Sequence, residues 1–281
     1  MLGTHDQNAR EISADALDLI RRILKNVKGF NIDIYKEKCI RRRIAIRIRA
    51  THCATDEEYG ELLQNSGEEL DLLLRVLTIH VSQFFRNPQT FTKLRTETIP
   101  YLLKQRDVAG RDCLKFWSVG CASGEEPYSL ALIMKDFFPA ETIGKRVSIL
   151  ATDVDTKILE TAKLGVYGVE RLIEVPESVK ARWFREQGGK FHLMPEIKEM
   201  VDFKTGDLYN VESFPESDII LCRNVLIYFE RDQQERMLNR FADVLRKGGI
   251  LVLGKSENLF GSTRARFQTV CPIERIYRVI Q

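Results

Sequence analysis

No apolar stretch in this 281-residue chain approaches the roughly 20 residues that span a bilayer. The opening segment, "MLGTHDQNAREISADALDLI", also lacks the apolar core of a signal peptide, so a cytoplasmic location is expected. A marked excess of either charge is lacking as well. The formal net charge is only +3, too small to argue by itself for a nucleic-acid partner. Six cysteines are scattered with no C-x-x-C pair, which fits reduced thiols used as small apolar residues. The four histidines show neither H-x-x-x-H nor H-E-x-x-H spacing, so no metal site is expected. Internal repeats and low-complexity tracts are missing too.

What is present is an ordinary globular composition, 44% hydrophobic and 30% charged, sufficient for a substantial core. Charge is concentrated in residues 36–49, "KEKCIRRRIAIRIR", with seven basic residues and one acid. Ile40, Ile44 and Ile48 recur every four residues and give a narrow apolar helical stripe. Arg41, Arg42, Arg43, Arg47 and Arg49 surround it and are candidate docking residues for an acidic partner. No aromatic residue is interleaved with these arginines, as base stacking would need. From Thr55, a predicted N-cap with Glu58 three residues on, the chain to about residue 85 reads as helix. Because no strand pattern precedes about residue 113, residues 1–87 are assigned to a helical N-terminal domain.

Beyond residue 113, strand-like runs alternate with helical patterns. The strands are expected at Leu114–Val119, Val147–Ala151, Met200–Lys204, Asp218–Cys222 and Ile250–Gly254. Helices are expected at Pro127–Phe138, Thr156–Leu164 and Asp232–Arg246. This alternation predicts an α/β domain over 88–281, a Rossmann-like, mostly parallel sheet with helices on both faces. Two short runs about Cys271-Pro272 predict a terminal antiparallel hairpin. The long connection after Leu164 exceeds an ordinary helix–strand link and predicts a small inserted β-subdomain at approximately 168–203.

Ligands of open α/β sheets bind beyond the carboxyl ends of the strands. Collected from sequence, those ends offer Glu126, Asp153, Asp207 and Asn224, with Arg223 and Tyr228 close by. The first turn, "GCASGEEP", lacks a full G-x-G-x-x-G, and its helix opens with two acids. A pyrophosphate there would meet repulsion of the order of a kcal/mol. A cofactor with a ribose and cationic groups but no phosphate fits better, and S-adenosylmethionine is such a molecule. Glu126, rather than Glu125, is the expected ligand residue.

The segments "SVGCASGEEPYSLA", "ILATDVD", "CRNVLIYF" and "GKSENL", in this order, resemble the chemotaxis receptor methyltransferases, the CheR family. "HVSQFFRN" and the basic helical region before it complete the pattern, from about residue 15 to the C-terminus. The resemblance implies a class I S-adenosylmethionine-dependent methyltransferase with a seven-stranded sheet and a terminal hairpin. It implies protein-glutamate O-methylation of chemoreceptor cytoplasmic helices, with S-adenosylhomocysteine as coproduct. Carried over by motif, cofactor contacts fall on His80, Ser82, Arg86, Glu126, Asp153, Asp207, Leu208, Arg223 and Asn224. Arg86 and Tyr228 are the implied catalytic pair. His80 stands where the family has asparagine, and Asp207 where relatives often have asparagine. Some relatives grip a receptor pentapeptide through a glycine-rich loop of the insert. The short "EQGGKFHLM" here points to a pentapeptide-independent enzyme, and a monomer is expected. Two alternatives stay open at this level: a non-catalytic cofactor-binding adaptor, and a methyltransferase acting on another substrate. Against the latter, no N/D-P-P-Y/F tetrapeptide of amino-directed nucleic-acid enzymes follows the fourth strand.

Overall fold

A computed structural model describes residues 12–78 and 81–280. The chain divides into two units, residues 1–79 with 228–230, and residues 80–227 with 231–281. No helix among the described residues is long and apolar enough to cross a membrane.

The first unit is helical: α1 (Ala14–Lys28), α2 (Glu37–Thr51), α3 (Asp56–Asn65) and α4 (Gly67–Thr78). The Thr55 hydroxyl accepts the Glu58 N–H at 3.1 Å, as its position as N-cap predicts. The Glu58 carboxylate reaches back to the Ala54 N–H at 2.6 Å, one residue further than a strict capping box. The continuous helix expected from Thr55 is instead broken between α3 and α4. Ser66 is extended, with φ −125°, and its hydroxyl accepts the Glu69 N–H at 3.1 Å. A serine that starts a new helix this way competes with propagation of the old one. Helix α2 buries Ile40 and Ile44 and leaves Ile48 half-buried.

Arg47 is turned into this unit rather than outward. Its Nε and Nη2 donate to the two oxygens of Glu69, at 2.9 and 2.6 Å, and the Tyr59 hydroxyl donates to the same carboxylate at 2.9 Å. Tyr59 is fully buried, and burial together with the neighbouring Glu69 pushes its phenol well above the ordinary range.

The second unit begins with α5 (Pro88–Lys93), a π-helical stretch Leu94–Thr98 and α6 (Ile99–Val108). Strand β1 (Leu114–Val119), α7 (Glu125–Phe137), β2 (Val147–Asp153) and α8 (Thr156–Leu164) follow. The insert carries β3 (Val166–Tyr167), α9 (Glu177–Trp183), β4 (Phe184–Gln187) and β5 (Lys190–Leu193). After α10 (Pro195–Lys198) come β6 (Val201–Thr205), β7 (Ser217–Cys222), α11 (Arg231–Val244) and β8 (Leu245–Leu253). The hairpin β9 (Phe267–Cys271) and β10 (Ile276–Val279) ends the fold.

Seven strands form one sheet in the order β6-β2-β1-β7-β8-β10-β9. The first five are mutually parallel, and β10 and β9 are antiparallel, so the expected α/β architecture is present. The central strands β1 and β7 are almost wholly buried, which explains their continuous apolar runs. The insert is a separate antiparallel sheet, β3-β5-β4. Its β4–β5 turn is only Gly188-Gly189, with φ of 59° and 71°. Both residues are left-handed, the requirement of a two-residue hairpin that matches strand twist.

Replacing Arg47 by Ala strands a buried carboxylate, and denaturant unfolding should show a loss of roughly 3 kcal/mol. An unchanged unfolding midpoint would mean that Glu69 is adequately solvated without its partner.

Candidate active site

Successive connections run from β1 to β2 and β6 on one side of the sheet and to β7 and β8 on the other. The crevice therefore opens between the carboxyl ends of β1 and β7, where ligands of such sheets bind. The turn after β1 is tightly folded: Gly120, Ala122 and Gly124 all have positive φ, at 63°, 48° and 90°. A Cβ on Gly120 would lie 2.6 Å from Cγ2 of Val225, so only glycine lets this turn meet the segment after β7.

Asp153 holds the turn from β2. Its Oδ2 accepts the Ala122 N–H at 2.9 Å and its Oδ1 the Asp155 N–H at 3.1 Å. Its carbonyl accepts the Gly206 N–H at 3.0 Å, which brings the end of β6 alongside. Asp207, next in the chain, is exposed and Leu208 half-buried, and an Asp207 oxygen accepts the Tyr209 N–H at 2.8 Å.

The two adjacent glutamates have different environments. The Glu125 side chain is 0% exposed, bonded to the Ser123 hydroxyl at 2.8 Å, with Arg171 at 3.6 Å. The Glu126 side chain keeps 15% exposure. Its Oε1 accepts from the Ser118 hydroxyl at 2.8 Å, and its Oε2 from Arg223 Nη1 at 3.1 Å. A carboxylate offers about four acceptor positions, so Glu126 retains capacity for a ligand donor.

Arg223 is a strut. Besides Glu126 it donates through Nη2 to the Arg86 carbonyl at 2.7 Å and to Asn87 Oδ1 at 2.8 Å, and its guanidinium lies 5.3 Å from the Phe91 ring centre. Its side chain is 2% exposed, so its Nη groups serve the protein itself. The result joins the "FFRN" segment to the glycine turn. Ser82 and Arg86 line a cleft of about 320 Å³ with Glu174, and Arg86 Nη1 donates to the Val81 carbonyl at 2.9 Å. Asn224 has φ 61°, and its side-chain Oδ1 is buried with no hydrogen-bond partner. Tyr228 closes the short 3₁₀ turn Leu226–Tyr228, and its carbonyl accepts the Lys36 N–H at 2.8 Å. His80 lies outside the described residues.

Arg41, Arg42, Arg43, Arg47 and Arg49 do not present one uniform surface. Arg47 serves the Glu69 pair, and Arg41 donates to Glu37 and to the Ile12 carbonyl, both at 2.6 Å. Arg42 and Arg49 are exposed and Arg43 half-buried.

Three residues that matter here were not singled out in the sequence. Glu257, inside "GKSENL", is buried and accepts the N–H groups of Asn224, Val225 and Gly254 at 3.0, 2.9 and 2.6 Å. Burial raises its pKa, and the donating N–H groups oppose the rise. An acid three residues past a strand-ending glycine is the available signal. From the insert, the Tyr167 hydroxyl donates to the Ser123 carbonyl at 2.8 Å, and Arg171 donates to the Ser82 carbonyl. Phe84 packs edge-on against Tyr167 and Phe184, at 4.8 and 5.3 Å between ring centres. Their partners are distant in sequence and leave no local pattern.

The groups at these strand ends fit the expected cofactor. An orphaned buried acceptor on Asn224 suits a hydrogen-bond donor, and the carboxylates of Glu126, Asp153 and Asp207 suit a cation and hydroxyls rather than a phosphate.

Comparison with known proteins agrees. Residues 80–274 match the family model of the CheR methyltransferase, SAM binding domain, and residues 15–78 that of the CheR methyltransferase, all-alpha domain. A chemotaxis protein methyltransferase of Listeria innocua is 36% identical over 239 residues, 85% of this chain and 88% of that protein. One from Borreliella burgdorferi is 30% identical, over 91% of this chain and 92% of its own length. With both units matched and a glycine turn, strand-end acids and orphaned Asn224 acceptor suited to S-adenosylmethionine, the chain belongs to the CheR family of S-adenosylmethionine-dependent methyltransferases.

Proposed function

We propose that this enzyme methylates glutamate side chains on the helical cytoplasmic domain of a chemoreceptor, giving methyl esters. The observation that carries the reading is the crevice at the ends of β1, β2 and β7. It sets carboxylates and an unpartnered amide oxygen where a phosphate site would set bare N–H groups. When bound, the cofactor supplies a methyl group activated by its sulfonium. Asp153 and Asp207 would hold its ribose end, and Glu126 and Asn224 its ammonium end.

The substrate asks for little acid–base help. A free glutamate, with a pKa of about 4.3, is already ionised at neutral pH. The protein's task is to orient that carboxylate and exclude water, and orientation can supply roughly 7–11 kcal/mol. Arg86 and Tyr228 are the groups assigned to this steering. Arg86 offers charge to the incoming carboxylate, and Tyr228 a hydroxyl donor.

Recognition of the receptor falls to the basic helix α2. Arg42, Arg43 and Arg49 are the arginines left for an acidic partner, since Arg41 and Arg47 are engaged within their own unit. The reading places the enzyme in the cytoplasm as a monomer. The two-residue Gly188-Gly189 turn supports independence from a receptor pentapeptide, because it offers no extended loop to grip one.

Incubation with radiolabelled cofactor and receptor cytoplasmic fragments tests the chemistry. Base-labile label on the receptor is expected, and alkali-stable label would reassign the reaction to N-methylation. Asp153→Ala should weaken cofactor binding in calorimetry by about tenfold or more, the scale of a lost charged hydrogen bond. Tyr228→Phe should lower kcat with cofactor affinity kept, and the opposite pattern would exchange the two roles. Charge reversal of Arg42 and Arg49 together should raise the receptor KM steeply at low salt and less at high salt. Unaltered receptor methylation in that variant would remove α2 from recognition.

A further inference from the structure

Glu257 lies outside every group to which the reaction has been assigned, and it is a buried acid. It sits four residues past the end of β8 and reaches across to the segment that follows β7. There the left-handed Asn224 turns the chain so that the N–H groups of Asn224 and Val225 point to a common centre. Such a concavity of backbone N–H groups ordinarily receives an anion. Here the anion comes from the protein: Oε2 of Glu257 accepts from Asn224 and Gly254, and Oε1 from Val225.

The fit leaves no slack. A Cβ on Gly254 would lie 2.7 Å from the Asn224 nitrogen and 2.8 Å from Glu257 Oε2. On the opposite side, Val225 presses on Gly120 closely enough that a Cβ there would lie 2.6 Å away. Glu257 thus fixes two neighbours with different tasks: Asn224, with its unpartnered Oδ1, and Val225, which closes over the glycine turn.

We infer that Glu257 is a positioning residue for cofactor binding, setting the Asn224 amide and the Val225 side chain against the glycine turn. It touches neither cofactor nor substrate. Glutamine in its place keeps the shape but loses the charge, and its amide N–H₂ would confront backbone N–H donors. Aspartate keeps the charge one methylene short. The inference rests on the assignment of Asn224 to the cofactor.

Calorimetry with S-adenosylhomocysteine on the full chain tests it, using Glu257→Gln, Asn224→Ala and the double variant. Glu257→Gln should raise Kd by about tenfold, the scale of one charge-assisted hydrogen bond. The double variant should be worse than Asn224→Ala by clearly less than the Glu257→Gln effect alone, because the Asn224 contact is lost in both changes and only the seating of Val225 is lost in addition. In turnover assays the cofactor KM should rise while the receptor KM is kept, and Glu257→Asp should recover part of the affinity. If Glu257→Gln does not fold, the same cycle is run with Glu257→Asp. Wild-type affinity in a folded Glu257 variant, or fully additive effects in the cycle, would overturn the inference. Wild-type affinity in Asn224→Ala would instead overturn the assignment of Asn224. No binding by the unaltered chain would overturn the cofactor site itself.

Discussion

The ion pair between Arg223 and Glu126 spans the crevice that the sheet opens between β1 and β7, and the geometry of the site follows from it. A buried pair of this kind loses solvation on both sides and is held only if its remaining donors are satisfied. Arg223 meets most of this condition through its Nη groups, on the Arg86 carbonyl and the Asn87 side chain, while its buried Nε has no hydrogen-bond partner; Glu126 meets it through the Ser118 hydroxyl. Breaking the pair would leave a charge stranded at each strand end. The segment before the sheet is therefore bound to the cofactor crevice by the same atoms that hold its two edges together.

That constraint also accounts for the acids at the glycine turn. Both open α7, where carboxylates are favoured by the helix dipole, so position alone does not distinguish them. Burial does. Glu125 is closed in with Ser123 and Arg171 and consolidates the turn, whereas Glu126 keeps an open edge toward the crevice. A phosphate cofactor would meet the open edge of the Glu126 carboxylate at its usual seat, whereas a cationic group would find an acceptor there.

The strands and most helices were legible because burial dictates their composition. Strand β1 occupies Leu114–Val119 and α8 Thr156–Leu164, both as the apolar runs and turn residues predict. The break at Ser66 was not legible, because a serine between helical patterns is tolerated either inside a helix or as a cap. At the site, residues that end strands could be collected from sequence, since topology sends those ends to one edge. Glu257 could not be given a role, because its partners are backbone N–H groups, which carry no residue signature. Arg171 and Tyr167 were hidden for a related reason: the insert reaches carbonyls, and any residue supplies a carbonyl.

The arginines of α2 show where helical spacing holds more than a count of charges. Ile40, Ile44 and Arg47 stand at intervals of four and three, so they share one helix face, and that face is the buried one. Arg47 is thereby committed to Glu69, where a bidentate pair completes the interior of its unit. Arg42 and Arg49 are seven residues apart, two turns on a different face, and both are exposed. The same spacing that removes Arg47 from any docking surface aligns these two about 10 Å apart along the helix, since each residue rises 1.5 Å. An acidic receptor helix laid along α2 would find its carboxylates matched at intervals of two turns. Helical periodicity, more than net charge, decides which arginines of α2 face solvent.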